Sequence, residues 1–162
     1  MIATGCVPNF FGMDHIEQRS WPMSDIGDAL RIRNSVLRNL EKAVIATSEE
    51  ERNALLNIVI VGGGASGVEI AGALAEMRSY IVPRDYPGVN ISSMHIYLVE
   101  GRDKLLATMS PETSSDCLKV LEKKGVNVML NTAVKDYQDN RVIFGDGTSI
   151  LSGNLIWTSG VK

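Results

Sequence analysis

Four consecutive β-branched apolar residues, Ile58-Val59-Ile60-Val61, run straight into Gly62-Gly63-Gly64-Ala65-Ser66-Gly67, and no other stretch constrains the fold so tightly. A strand that is apolar at every position has no face to give to water, so it predicts a parallel strand covered on both sides. The segment that follows carries Val68, Ile70, Ala71, Ala73, Leu74, Ala75 and Met77, and predicts a helix that is apolar nearly all round and therefore buried. Strand, glycine turn and helix in this order give a Gly-x-Gly-x-x-Gly pattern its meaning. Gly62 permits the tight turn, Gly64 leaves room for a pyrophosphate against the backbone, and Gly67 lets helix and strand pack closely. Free amides at the helix start, along Gly62, Gly63, Gly64, Ala65, Ser66 and Gly67, face the phosphates, with the helix dipole adding attraction. The expectation is a Rossmann-type βαβ unit starting at Asn57 that binds a nicotinamide dinucleotide.

An acid that grips the adenosine ribose should end the second strand. His95-Ile96-Tyr97-Leu98-Val99-Glu100 reads as that strand, and Glu100, followed by Gly101, ends it. A carboxylate there accepts hydrogen bonds from ribose hydroxyls and repels a 2′-phosphate, which favours NADH over NADPH. The usual separation is about 20 residues, whereas Glu100 lies 33 beyond Gly67; the connection at 78–93 accounts for the excess. Asp85 lies nearer the usual distance, but no strand leads into it. Arg102 carries the opposite implication, since an arginine near this position can hold a 2′-phosphate. Glu69, in the first turn and a half of the helix, either points at the ligand or rests on the helix dipole.

Residues 1–23 are broken by Gly5, Pro8, Gly12 and Pro22. A helix is expected from Asp25 to Thr47, capped by Ser24, with Ile26, Ala29, Leu30, Val36, Leu37, Leu40, Ala43 and Val44 on its apolar face and Arg31, Arg33, Arg38, Glu41 and Lys42 in solvent. Ser48 to Asn53 reads as a polar break. Ser110-Pro111-Glu112 starts a helix that ends at Gly125. Val126-Asn127-Val128-Met129-Leu130 is a third strand. Ala133–Gln138, Arg141–Phe144 and Thr148–Leu151 form an antiparallel meander around turns at Asp139-Asn140 and Gly145-Asp146-Gly147. Leu155-Ile156-Trp157 is a strand able to rejoin the parallel sheet. The fold class is α/β: a Rossmann-like parallel sheet flanked by helices, with a three-stranded antiparallel meander.

Composition narrows the function classes. A net charge of −3 gives no basic surface for nucleic acid. No run reaches the roughly 18 apolar residues of a membrane span, and the first residues lack the shape of a signal peptide. Cys6 and Cys117 form no redox or zinc spacing. His15 and His95 have no obvious catalytic partner, and no catalytic residue is assigned. The chain can hold a hydride donor but nothing in it accepts a hydride. Ile2-Ala3-Thr4-Gly5 and Thr158-Ser159-Gly160-Val161-Lys162 read as a strand end and an unfinished loop, so both termini are expected to be cuts in a longer protein.

These motifs resemble the two-dinucleotide flavoprotein oxidoreductases. Ile2-Ala3-Thr4-Gly5 and Ile156-Trp157-Thr158-Ser159-Gly160 resemble the two ATG motifs where the chain leaves and re-enters an FAD domain, and Ile60 to Glu69 resembles the NADH fingerprint. Asp25-Ile26-Gly27-Asp28-Ala29-Leu30-Arg31-Ile32-Arg33-Asn34 and Leu98-Val99-Glu100-Gly101-Arg102-Asp103-Lys104-Leu105-Leu106 are similar to type II NADH dehydrogenases, single-subunit NADH:quinone oxidoreductases. Thr-Ser-Gly stands where that family often has Ala-Ala-Gly or Ala-Thr-Gly. The resemblance implies that Gly62, Gly64, Gly67 and Glu100 contact NADH, that Glu69 lies near the nicotinamide side, and that Ser159 and Gly160 line the nicotinamide end. It implies FAD in the full-length protein, held by a domain absent here, with quinone and a membrane surface as further partners. Location would be cytoplasmic, peripheral on the inner face of the cytoplasmic membrane. Residues 1–23 would be a remnant and linker of the FAD domain, 24–53 a connecting helix and 54–162 the NADH-binding domain. Two other readings stay open: a flavoprotein reductase with a disulfide, ferredoxin or nitrite acceptor, and a non-catalytic NADH-sensing module.

Overall fold

In the computed structural model, residues 8–160 are described; the strand end expected at Ile2-Ala3-Thr4-Gly5, and Cys6, lie outside them. The all-apolar run forms β2 (Ile58–Val61), buried at all four positions. Parallel neighbours flank it: β3 (Ile96–Val99) on one side and β8 (Asn154–Trp157) on the other. β4 (Val126–Met129) extends the sheet beyond β3, and a two-residue strand β1 (Trp21–Pro22) pairs with β8, giving the order β1-β8-β2-β3-β4. The last strand therefore does rejoin the parallel sheet, between β1 and β2.

Alternation along these strands sorts the core into two layers. Ile58, Ile60, Ile96, Leu98 and Ile156 pack with residues of α2 (Ile26–Ile45), α4 (Ala65–Glu76) and α6 (Pro111–Lys123). Val59, Val61, Val99, Leu155 and Trp157 turn the other way, onto Phe10, Ile16, Tyr137, Val142 and Phe144. Ile16 belongs to a short helix α1 (Asp14–Glu17). The tyrosine, valine and phenylalanine come from the meander β5 (Val134–Gln138), β6 (Arg141–Phe144) and β7 (Ser149–Leu151). Its first turn has Asp139 and Asn140 both at positive φ, 50° and 57°, with Gln138 paired to Arg141. That is the two-residue hairpin loop whose twist suits antiparallel strands.

Four local expectations need correction. The cap of α2 is Asp25, not Ser24: Asp25 Oδ1 accepts from Asp28 N–H at 2.8 Å, while Asp28 Oδ2 accepts from Ser24 N–H at 2.9 Å. This reciprocal arrangement starts the helix one residue later. The buried stripe of α2 is Ile32, Val36, Leu40 and Ala43; Ile26, Leu30 and Val44 are exposed, and in the first turn it is Asp28 that takes the inward position. The supposed polar break at Ser48 to Asn53 is mostly a second helix, α3 (Glu49–Leu56), capped by Ser48 Oγ on Glu51 N–H. In α4 only Gly67, Ala71, Leu74 and Ala75 are fully buried, so the helix is one-sided; its alanines and glycines made the outer face look apolar in sequence.

The connection at 78–93 is also ordered. A five-residue π-helical segment (Met77–Ile81) continues α4, and α5 (Val82–Asp85) follows. The π segment aims Arg78 at the end of α6, where its guanidinium donates to Lys124 O at 2.7 Å and Gly125 O at 3.1 Å. Carbonyls at a helix C-terminus lack intrahelical donors, so the insertion supplies the cation that the helix end favours.

Asp28 is 4% exposed and is held by Arg31 at 2.5 Å as well as by Ser24 N–H. Burial pushes its carboxyl up, but the hydrogen bonds from Arg31 and Ser24 outweigh this and hold it below the ordinary carboxylate range. A carboxyl with a lower pKa folded than unfolded stabilises fully above the unfolded value and loses that contribution as pH falls through the folded value. Asp28→Asn should therefore cost about 1 kcal/mol at pH 7. The gap should narrow as pH drops below about 4. Urea midpoints measured over a pH series test this; a gap that stays constant to pH 2 would show that the charge of Asp28 contributes nothing.

Candidate functional site

The strand order changes direction at β2: the chain moves to β3 and β4 on one side, then returns to β8 on the other. In open α/β sheets, the carboxyl ends of the strands at such a point enclose a crevice. Here it is a cleft of ≈ 670 Å³, walled by the residues that follow each of the three strands: Gly62 to Ala65 after β2, Glu100 to Arg102 after β3, and Thr158 to Gly160 after β8.

The glycine turn is built by close contact. Gly62 has φ +114°, and a Cβ on it would come within 2.8 Å of Thr158 Oγ1. A Cβ on Gly67 would collide with the Gly62 carbonyl oxygen. So α4 begins directly against the exit of β2, and only glycine permits that approach. Thr158 cinches the turn from β8: its hydroxyl donates to Val61 O at 2.9 Å or Gly62 O at 3.2 Å. Gly64 differs from both, since a Cβ on it would meet nothing within 4 Å. It is the helix N-cap, and no side chain caps α4. Amides of the first turn of α4 are therefore left for an anion.

Glu100 is fixed at the cleft edge by two backbone donors. Its Oε2 accepts from Gly63 N–H at 2.6 Å and its Oε1 from Arg102 N–H at 2.9 Å. Each carboxylate oxygen keeps further lone-pair capacity, so the group is oriented yet able to accept from hydroxyls in the cleft. Gly101 and Arg102 are exposed beside it. Asp85, the rival acid, lies outside the cleft walls at the end of α5, paired with Arg84 at 2.6 Å.

Of the residues singled out in sequence, Gly62, Gly63, Gly64, Ala65, Glu100, Gly101, Ser159 and Gly160 come together on the cleft walls. Ser66, Gly67 and Glu69 do not line it. Gly67 lies beneath the turn, and Ser66 and Glu69 are exposed on α4. Sequence reasoning did not find Asn9, Phe11 and Met13, Leu106 to Met109, or Thr132 to Val134, which complete the walls. Leu105 is buried against Gly63, and Leu106 N–H donates to Gly63 O at 2.8 Å, so this apolar pair pins its loop to the glycine turn. His15 pairs with Asp136 of the meander at 2.6 Å, away from the cleft walls. Burial raises the pKa of the Cys117 thiol on α6, which disfavours the reactive thiolate.

A family profile described as pyridine nucleotide-disulphide oxidoreductase matches residues 1–162. The chain belongs to that family. Within it, the chain is similar to a probable NADH dehydrogenase of Dictyostelium discoideum, 31% identical over an alignment of 162 positions that covers 99% of this chain and 36% of the relative. It is 29% identical to the type II NADH:quinone oxidoreductase Ndh of Mycobacterium tuberculosis, over 100% of this chain and 36% of that protein. NDH2 from Plasmodium falciparum, solved in complex with NADH, superimposes with a TM-score of 0.90 at 27% identity, over 97% of this chain and 33% of that one. The chain thus spans about a third of the length of these relatives.

Gly64 and Gly67 should separate by substitution. Gly67→Ala forces a methyl group onto a backbone carbonyl and should cost more than about 2 kcal/mol. Gly64→Ala adds a methyl in open space at an ordinary φ of −77°, and should leave stability within about 1 kcal/mol of the parent. Thermal melts of both variants check this; similar losses would mean that the turn can relax around Gly67.

Proposed function

We propose that this chain is the NADH-binding part of a type II NADH dehydrogenase, an FAD-dependent NADH:quinone oxidoreductase, and that it presents the nicotinamide for hydride transfer to the flavin. One observation carries this reading: an uncapped helix start, a bare glycine and a backbone-anchored glutamate converge on a single cleft at the switch point of a parallel sheet. Glu100, with Gly101, takes the adenosine ribose. The amides of Gly64, Ala65, Ser66 and Gly67 take the pyrophosphate; those of Gly62 and Gly63 already donate to Val99 O and Glu100 Oε2 and shape the turn. Ser159 and Gly160 take the nicotinamide end, with Glu69 on the same side.

When bound, the reduced dinucleotide supplies a hydride, which a flavin in the remainder of a full-length enzyme accepts. The work of this chain is to bind, orient and exclude water. Residues 54–162 form the dinucleotide unit in this reading, 24–53 connect it and 1–23 lead in from the FAD domain. The whole enzyme would meet its quinone at a membrane surface from the cytoplasmic side; no helix among the described residues is long and apolar enough to cross a membrane.

Titration with NADH and NADPH, followed by quenching of Trp157 and by calorimetry, tests the reading. Trp157 lines the cleft, and Trp21 adds background. NADH should bind more tightly than NADPH. Glu100→Ala should weaken NADH about 10- to 100-fold, the effect of removing hydrogen bonds to a charged acceptor. Gly64→Ala should also weaken it while the fold holds. Tighter binding of NADPH would assign Arg102 to a 2′-phosphate and overturn the role of Glu100.

A further inference from the structure

Phe10 and Phe11 are neighbours with opposite fates. Phe10 is 5% exposed and stacks on Trp157, with ring centroids 5.3 Å apart. Phe11 is 62% exposed and stands in the cleft wall. Its φ is +53°, in the left-handed region that a bulky L-residue rarely adopts. The surroundings hold it there. Phe11 N–H donates to Asn9 Oδ1 at 2.9 Å, and Asn9 is tied to β8 by its carbonyl, which accepts from Trp157 Nε1 at 3.0 Å. Strain of this kind persists where neighbouring structure over-determines it, and it gathers at ligand sites. Packing does not explain an exposed ring, and glycine would suit the backbone better.

Position in the cleft says what the ring faces. With the ribose at Glu100 after β3 and the phosphates at the glycine turn after β2, the rest of a dinucleotide runs towards β8. Its path passes Thr158 and reaches Gly160. Phe11 stands at that end: a Cβ on Gly160 would come within 2.9 Å of Phe11 Cζ. We propose that Phe11 is the aromatic wall against which the nicotinamide ring packs, a positioning residue for the reacting end of the cofactor. The proposal rests on the reading that this cleft takes NADH. The reduced nicotinamide is a flat, conjugated dihydropyridine with a carboxamide, a shape that suits face or edge contact with a phenyl group, and the phenyl would keep water from that part of the cleft.

Calorimetry of the 162-residue chain with NADH and with ADP-ribose, which lacks only the nicotinamide, tests the assignment. Phe11→Ala should weaken NADH about three- to tenfold and leave ADP-ribose unchanged. Phe11→Tyr should restore NADH binding. Phe11→Gly should melt no lower than the parent, since its backbone relaxes, yet lose NADH affinity as alanine does. Equal losses for both ligands would make Phe11 a structural residue of its loop, and no loss for either would give the ring another task; both overturn the proposal. A parent chain that binds neither ligand would remove the NADH reading itself, whereas one that binds both with Phe11→Ala unchanged removes only the role of Phe11.

Discussion

The contact between the first turn of α4 and the exit of β2 governs the rest of the molecule. Gly67 lies against the Gly62 carbonyl with no room for a side chain, and Thr158 bonds to the same stretch of backbone from β8. Two consecutive elements, β2 and α4, and the far-downstream β8 are thereby fixed at one point. The helix start has to face the crevice. Thr158 N–H donates to Val61 O at 2.9 Å, which carries the ladder of β2 and β8 into the loops. A methyl group at position 67 would push the helix away, open the β2–β8 junction and spread the cleft.

Burial on both faces then makes the register of β2 unambiguous, because a slip of one residue would exchange the helix-side and meander-side sets. The far end of the sheet is closed by polar groups instead. Asn154, 1% exposed, donates to Leu55 O at 2.9 Å and accepts from Asn39 Nδ2 at 2.7 Å. Ser152 Oγ donates to Asn57 O at 2.7 Å. These bonds join α2, the end of α3 and the entry to β8. Buried polar groups are costly unless paired, so the network selects one arrangement of these three elements.

How much of this was legible follows from the kind of signal each part carries. β2, the Ser110-Pro111 helix start and the meander turns are written in local sequence, and they stand within a residue or two of where that sequence puts them. α3 was missed because it buries only Leu56 fully and so shows no apolar period, although Ser48 and Glu51 already formed a capping pattern. Leu30 and Asp28 exchanged roles on α2 because a carboxylate bonded to Arg31 and to backbone can sit inward. In the cleft, the glycine turn and Glu100 were readable from order and spacing, and the Ser159-Gly160 loop from the family resemblance. Asn9 to Met13 and Leu106 to Met109 were not, since tertiary contact alone brings those loops to the strands.

The two halves of the cleft accordingly have different origins. At the β3 side, Glu100 is held by Gly63 and Arg102 amides, and Leu106 is bonded to Gly63. That half is set by backbone hydrogen bonds within the βαβ unit itself, an arrangement that lowers the ordering cost of binding. At the other side, the wall depends on a segment that begins far upstream of β2. Asn9 N–H reaches Gly160 O at 3.4 Å, Phe10 stacks on Trp157, and Phe11 is turned outward as a result. On the proposed reading, adenosine recognition belongs to the core and nicotinamide placement to the junction of the chain's two ends. Changes in residues 9–13 should then alter how the reacting ring is held without altering which dinucleotide is chosen. On the same proposal, selection between NADH and NADPH rests with Glu100 and Arg102 on the opposite side of β2.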